Sequence, residues 1–328
     1  MSDTASANSF KVSSRAKRET CFLLAASAVF SLVLLSRVHA APRPAPQRPR
    51  IVGIASVTIL STDLAAANDF YRRVIYPESV CNLCERPPRR FFGFPTGQKV
   101  ELLEAPASKP DLLSEISFVT EDLGTLRKLL EANGIRYEQR KSRKDGPAAP
   151  IVTHDPEGHQ ISFVESSYMM STRDLASDAS LVSPVRIIHA GFVVHDRAAE
   201  DKFYKDILGF HVYWHGGMKD GEDNWVDMQV PDGTDWIEYM LGVSPDASHK
   251  TLGVMNHIAL GVPDIHAAQQ QLIKNGWKGT EEPKIGRDGK WQLNLYDPDE
   301  TRVELMEFKP TKEPCCSLYT GPHPGPKQ

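Results

Sequence analysis

His189-Ala190-Gly191-Phe192-Val193-Val194-His195-Asp196 and His257-Ile258-Ala259-Leu260-Gly261-Val262-Pro263-Asp264 share one plan: a histidine, a run of mostly apolar residues, and an aspartate in the eighth place. Two earlier stretches, Ser56 to Asp63 and Glu115 to Asp122, follow the same plan. Each is succeeded by apolar residues at helical spacing, so the chain is built by internal duplication. A second matching position falls 45 to 49 residues after the first residue of each unit, at Glu101, Ser162, Glu238 and Glu304. Only the last two units put histidine first and glutamate second. Either histidine alone would read as an ordinary strand residue, but four such residues at equivalent repeat positions predict one metal site built from His189, Glu238, His257 and Glu304.

The local signals give each unit a shape. The opening segment is β-rich, and its closing aspartate suits the N-cap of the helix that follows. Gly134, Gly209 and Gly276 stand where three of those helices need a C-cap. Short strands with turn chemistry come next, including Asp155-Pro156-Glu157-Gly158 and Asp297-Pro298-Asp299-Glu300. The expected unit is strand, helix, then about three strands, and the class is α+β. Phe70-Tyr71 and Phe203-Tyr204 occupy equal offsets in units one and three, so the units group as two modules, 51–166 and 185–309. The serine-rich stretch 167–184 reads as a linker between them. Curved strands from paired units can close a cup whose inward residues alternate along each strand. Trp236, Glu238 and Met240 then share one face, as do Glu304 and Met306. A carboxylate among apolar neighbours is costly unless a cation meets it, which supports the metal reading.

Two imidazoles and two carboxylates suit one divalent first-row metal, namely zinc, nickel, manganese, cobalt or iron. Calcium or magnesium would want more oxygens. Such a metal polarises a carbonyl or stabilises an enediolate, while Glu304 or Glu238 moves a proton as the catalytic base. Module one places Ser56, Glu101, Glu115 and Ser162 at the equivalent positions and is expected to lack metal. His154 and His159 in its final turn read as turn residues. His211 and His215 are candidate substrate contacts at the mouth of the second module, although ordinary strand and loop roles fit them as well. Trp214, Trp225 and Trp291 either line an apolar pocket or belong to the core.

The 328 residues are 41% hydrophobic and carry 38 Lys+Arg against 42 Asp+Glu, a net charge of −4. This composition fits a globular protein with two modest cores, and the absence of a basic excess gives no reason to expect a nucleic-acid partner. A small-molecule substrate is expected. Lys11, Arg15, Lys17 and Arg18 precede the apolar run Cys21 to Leu35, and Val38-His39-Ala40 supplies a cleavage site, so residues 1–40 read as a secretory signal peptide. An uncleaved N-terminal anchor is the alternative, and either would export the folded part. Residues 41–50 contain four prolines and read as an extended linker. Of the remaining cysteines, Cys81 and Cys84 form a CxxC, and Cys315 and Cys316 are adjacent in the tail, 310–328. Disulfides joining the tail to the first module are expected, with a redox-active CxxC or a four-cysteine zinc site as alternatives. The Pro/Gly-rich end, 321–328, is expected to be disordered. Monomer and homodimer are both compatible with two modules in one chain.

HAGFVVHD (189–196), KFYKDILGF (202–210), HIALGVPD (257–264) and YDPDETRVELMEF (296–308) together resemble the vicinal oxygen chelate superfamily. That group includes glyoxalase I, extradiol dioxygenases, methylmalonyl-CoA epimerase and fosfomycin-resistance proteins. The resemblance covers nearly all of 51–309 and implies paired βαβββ units forming a cup-shaped mixed sheet in each module. It also implies ligands on opening and final strands, at His189, Glu238, His257 and Glu304. The full His/Glu/His/Glu set is most similar to bacterial-type glyoxalase I, a lyase acting on a glutathione hemithioacetal. Those enzymes carry an arginine four residues after the first ligand, where this chain has Val193, so a substrate other than glutathione is expected. Extradiol dioxygenases also pair an empty first module with an active second one holding iron. Their catalytic histidine and tyrosine have no counterpart in Lys290-Trp291-Gln292-Leu293-Asn294, and Tyr296 lies too near the turn. A third alternative is a ligand-sequestering protein of the bleomycin-resistance kind, which usually lacks the metal set.

Overall fold

A computed structural model describes residues 47–75, 89–105, 111–140, 148–173 and 184–327. Cys81 and Cys84, the segment read as a signal peptide and most of the linker after it lie outside these residues.

The first module contains strands β1 (Ile51–Ser61), β2 (Arg89–Gly93), β3 (Lys99–Glu104), β4 (Leu113–Thr120), β5 (Tyr137–Gln139), β6 (Ile151–His154) and β7 (Gln160–Glu165). Helix α1 (Leu64–Val74) follows β1, α2 (Leu123–Ala132) follows β4, and α3 (Ser166–Arg173) follows β7. The second module contains β8 (Arg186–Val193), β9 (His211–Gly216), β10 (Trp225–Gln229), β11 (Trp236–Met240), β12 (His257–Val262), β13 (Lys284–Ile285), β14 (Trp291–Tyr296) and β15 (Arg302–Glu307). Its helices are α4 (Arg197–Asp201), which runs on as a π-helical turn over Lys202–Ile207, α5 (His249–Met255) and α6 (Ile265–Lys274).

The four repeat aspartates do what their position demands. Asp63, Asp122, Asp196 and Asp264 each accept a backbone N–H from the first turn of the helix they precede. Gly134, Gly209 and Gly276 have φ of 69°, 82° and 86°, the left-handed conformation that ends a helix at little cost to glycine. Apolar faces of α1, α2 and α6 then pack against the sheets in one continuous core that includes Tyr71, Leu126, Phe118, Phe192, Tyr204 and Leu272.

Each module is one mixed sheet, ordered β2-β3-β1-β4-β7-β6-β5 in the first and β13-β14-β15-β12-β8-β11-β10-β9 in the second. Opening strands pair antiparallel at the centre, and each pairs parallel with the final strand of its own unit. The registers repeat between modules. Glu101 faces Thr58 as Glu238 faces Gly191, Glu115 faces Thr58 as His257 faces Gly191, and Ser162 faces Ser117 as Glu304 faces Ala259.

Reciprocal contacts join the modules. Tyr71 on α1 donates to Asp297 in the second module's turn (3.3 Å), and Tyr204 donates to Asp155 in the first module's turn (3.1 Å). Asp299 accepts from the Thr62 N–H at 3.1 Å, and Glu157 accepts from the equivalent His195 N–H at 2.6 Å. At the junction of β1 and β8, Gln98 bridges the Ile54 and Ile187 carbonyls at 3.0 Å each, and buried Asp235 accepts from the Ile54 N–H and from Arg186.

Three expectations change. The stretch read as a linker opens with helix α3, which packs Met169 beside Ala55 and Val164. The tail is ordered through residue 327, because buried Arg186 donates to the Gly325 and Lys327 carbonyls and Thr320 donates its N–H to the Tyr213 carbonyl. Cys315 and Cys316 are bonded to each other, which removes both from any staple to the first module. Cys316 adopts φ 76°, and the Cys315 N–H bonds the Arg287 carbonyl, so the tail backbone turns just where the two thiols meet.

Candidate metal centre

Four side chains enter the second cup from four strands. His189 comes from β8, Glu238 from β11, His257 from β12 and Glu304 from β15. The two Nε2 atoms lie 3.1 Å apart, and Glu238 Oε2 stands 3.0 Å from His257 and 3.7 Å from His189. Glu304 Oε2 is 3.7 Å from His189 and 3.8 Å from His257. His189, Glu238 and His257 offer donor atoms that all lie within 4.8 Å of one another, a group able to hold a metal ion. Glu304 adds a fourth donor within reach of both imidazoles.

Physical chemistry favours this set as ligands. His257 Nδ1 lies 2.8 Å from the Met255 carbonyl, which holds the proton there and turns the Nε2 lone pair toward the other donors. Burial lowers both imidazoles from their ordinary range, helped at His189 by His257 and at His257 by Arg302, so both are neutral as a metal requires. Burial also pushes the Glu304 carboxyl up to about 7, against the opposing pull of Arg302. A carboxylate that strains to ionise in an apolar cup is relieved by a bound cation. The residues therefore fit a divalent metal. Arg302 now supplies part of that charge, with Nη2 2.8 Å from His257 Nε2, and it would have to yield that position.

Gly191 makes room for the site. It sits opposite both Glu238 and His257, and a Cβ there would stand 2.0 Å from His257 Cε1. A cavity of about 330 Å³ opens over the donors, with Trp214, Trp225, Trp236 and Met306 on its apolar wall and Gln292 and Asn294 on its polar one. Behind Trp236 lies Lys290, fully buried, with Nζ 4.3 Å from the Trp236 ring and 3.9 Å from Asp288. Burial lowers its ammonium pKa and raises that of Asp227, where Glu238 adds to the effect.

Trp214 and Trp225 line the cavity, but Trp291 does not. Alternation along β14 turns Gln292 and Asn294 inward, and Trp291 packs against His266 with ring centroids 4.9 Å apart. Neither His211 nor His215 lines the cavity, and His215 is paired with exposed Asp223 at 2.7 Å. In the first module Glu101 is paired with Arg89, and Glu115 with Arg140 and Ser162. Both carboxylates are thus paired with the module's own cations, and Lys99 lies over the Phe91 ring. Gly191, Arg302, Asn294, Asp227 and Lys290 were given no role in the sequence reading, where inward alternation along β14 and β15 was the pointer to Asn294 and Arg302.

Residues 186–305 match the model of the Glyoxalase/Bleomycin resistance protein/Dioxygenase superfamily. The second module is thus a domain of that superfamily. No curated protein matches the chain. Among solved structures, homoprotocatechuate 2,3-dioxygenase from Brevibacterium fuscum, in its anaerobic complex with 3,4-dihydroxyphenylacetate, is similar at 23% identity and TM-score 0.59, covering 86% of this chain and 85% of that one. The native enzyme from Arthrobacter globiformis is similar at 22% identity and TM-score 0.59, covering 80% and 82%. A variant of the Brevibacterium fuscum enzyme reaches TM-score 0.61 at 22% identity, covering 81% and 73%. At such identity the likeness speaks for the fold, two cups in one chain, and the superfamily match agrees with a centre for one divalent metal.

Proposed function

We propose that this chain is a metal-dependent enzyme of the superfamily that moves a proton on a small, oxygen-chelating substrate, in the manner of a lyase or isomerase and without glutathione. The second carboxylate carries this reading. Glu238 stands 3.0 Å and Glu304 3.8 Å from His257, whereas a two-histidine, one-carboxylate oxygen-activating centre uses only one carboxylate and leaves the other place open. A divalent metal among these donors supplies Lewis acidity toward substrate oxygens when bound. Glu238 lines the cavity with its side chain 14% exposed, against 4% for Glu304, and is the better placed of the two to take and return a proton. The tryptophan wall excludes water, and the side-chain amides of Gln292 and Asn294 are available to orient substrate oxygens. Asn294 Oδ1 finds no partner among the described residues. Buried Val193, where glutathione-dependent glyoxalases carry arginine, supports a different substrate.

The two-cup layout favours a second reading, extradiol ring cleavage with iron(II). One experiment separates them. Protein stripped by chelator and reloaded with nickel, zinc or iron(II) is assayed for exchange of solvent deuterium into α-hydroxycarbonyl compounds and for oxygen uptake with catechols. We expect exchange with nickel or zinc, lowered roughly 100-fold or more in Glu238→Gln, and no oxygen uptake. Oxygen uptake with ring cleavage, confined to the iron form, would replace this reading with the second.

The reading includes export, supported by the basic and apolar pattern of residues 11–40. Among the described residues no helix is long and apolar enough to cross a membrane. N-terminal sequencing of the mature protein should begin at Ala41, and a chain that retains Met1 in the cytoplasm would contradict export.

A further inference from the structure

A second cluster of ligand-type side chains lies where the modules meet, away from the His189/His257 cup. Asp155 and His159 come from the first module's turn, and Glu200 comes from α4 of the second. Each offers a donor atom, and the three donors all lie within 4.8 Å of one another. Asp155 Oδ2 is 2.8 Å from His159 Nδ1 and accepts from the Tyr204 hydroxyl at 3.1 Å. Glu200 is fully buried, and its Oε1 accepts from the Glu157 N–H at 3.0 Å. Among the described residues its Oε2 has no partner.

The pseudo-twofold supplies an internal control. The reciprocal clasp repeats Tyr71 with Asp297 and Asp299 with Thr62, so tyrosine, turn aspartate and acidic cap are needed for joining the modules. At the positions equivalent to Glu200 and His159, four residues after the helix-capping and turn aspartates, that side has Ala67 and Thr301. Both are buried. The clasp therefore forms without an acid or an imidazole, and Glu200 and His159 are extra. A buried carboxylate added where alanine suffices destabilises the fold unless something cationic meets it.

We propose that Asp155, His159 and Glu200 form a second divalent-cation site that ties the two modules together. One nitrogen and two carboxylates suit zinc or a neighbouring first-row metal, with water completing the shell, and fall short of what calcium asks. Burial, then Asp155, pushes the Glu200 carboxyl up to about 8, so without a cation it holds a proton at neutral pH. A bound cation takes that proton's place and links the turn after β6 to helix α4.

The test uses the full chain, stripped by chelator and titrated with Zn²⁺ alone, read by calorimetry and native mass spectrometry. Wild type should take two equivalents. Glu200→Ala, which installs the residue found at position 67, should take one and keep its fold. The double variant His189→Ala/His257→Ala should also keep one, and Zn²⁺ should raise its melting temperature. His159→Gln, a milder change, should weaken the interface site at least tenfold. Two equivalents in Glu200→Ala at unchanged affinity, or none in the double variant, would overturn the proposal. Loss of the cup site alone leaves this one standing, so the two failures are distinguishable.

Discussion

At the residue scale, the cup depends on one missing methyl group. A Cβ at Gly191 would stand 2.0 Å from His257 Cε1 and 2.4 Å from its Nδ1, so Gly191→Ala must swing the ring away from Glu238 and His189. We expect Gly191→Ala to fold and to lose metal affinity at least tenfold, as measured by zinc titration; unchanged affinity would show that the imidazole adapts. The four donors were legible in the sequence because duplication puts them in register, and equivalent positions can be counted. Gly191 was not, since its closeness to His257 arises only from the antiparallel pairing of β8 and β12. Glu200 carries a second consequence. Its carboxyl titrates at about 8 in the fold, against an ordinary value of 4.5. Between about pH 5 and 8 the folded protein holds a proton there that the unfolded chain has lost, so this group's stabilisation falls as pH rises. Below that window both states are protonated and above it both are ionised, so the trend is confined to it. In chelator, wild type should lose stability relative to Glu200→Gln across this window, by at most about 1.4 kcal/mol per pH unit. Parallel melting curves at pH 5, 6.5 and 8 check it, and a constant difference would show that Glu200 does not titrate there.

At the element scale, the same strand-helix-turn unit builds both the cup and the clasp. The turn that follows β14 reaches across to α1, and the turn that follows β6 reaches to the helix of the other module, so each aspartate-proline turn has two tasks. Tyr71→Phe and Tyr204→Phe each remove one hydrogen bond to a buried aspartate and should cost about 0.5–1.5 kcal/mol in urea unfolding. Asp155 Oδ2 keeps His159 at 2.8 Å when Tyr204 is lost, whereas the backbone partners of Asp297 all bond its Oδ1 and none among the described residues replaces Tyr71 at Oδ2, so Tyr71→Phe should be the costlier. Equal costs would show that His159 gives no compensation. Capping aspartates and glycine C-caps were readable because they act within a few residues of the helix they end. Elements held by distant partners were not. The tail reads as polar and proline-rich, yet Tyr213, Arg186 and Asp288 give its backbone and Tyr319 fixed partners. The adjacent cysteines likewise close on each other, because β9 and Arg287 determine where the tail turns.

At the scale of the whole molecule, two sheets that repeat one register have diverged in what fills their cups. Arg89, Arg140 and Lys99 occupy the first with the protein's own cations, and histidines with glutamates prepare the second for an external one. The filled cup still matters, because its β1 lies against β8, the strand that carries His189. Asp235 is the centre of that contact: fully buried, it accepts from Arg186 in its own module and from the Ile54 N–H of the other at 2.9 Å, and Gln98 Nε2 lies 3.2 Å away. Removing it leaves a buried guanidinium without its carboxylate, a loss of about 3–5 kcal/mol for a broken buried pair. Because the bond to Ile54 crosses the junction, the cost should fall on both modules together. Asp235→Ala should therefore lower a single cooperative melting transition by several degrees, seen alike by tryptophan fluorescence, which reports the second cup, and by far-ultraviolet circular dichroism, which reports both. Two separated transitions in the variant would mean that Asp235 is what makes the modules unfold as one, and an unshifted transition would mean that Gln98 alone holds β1 against β8.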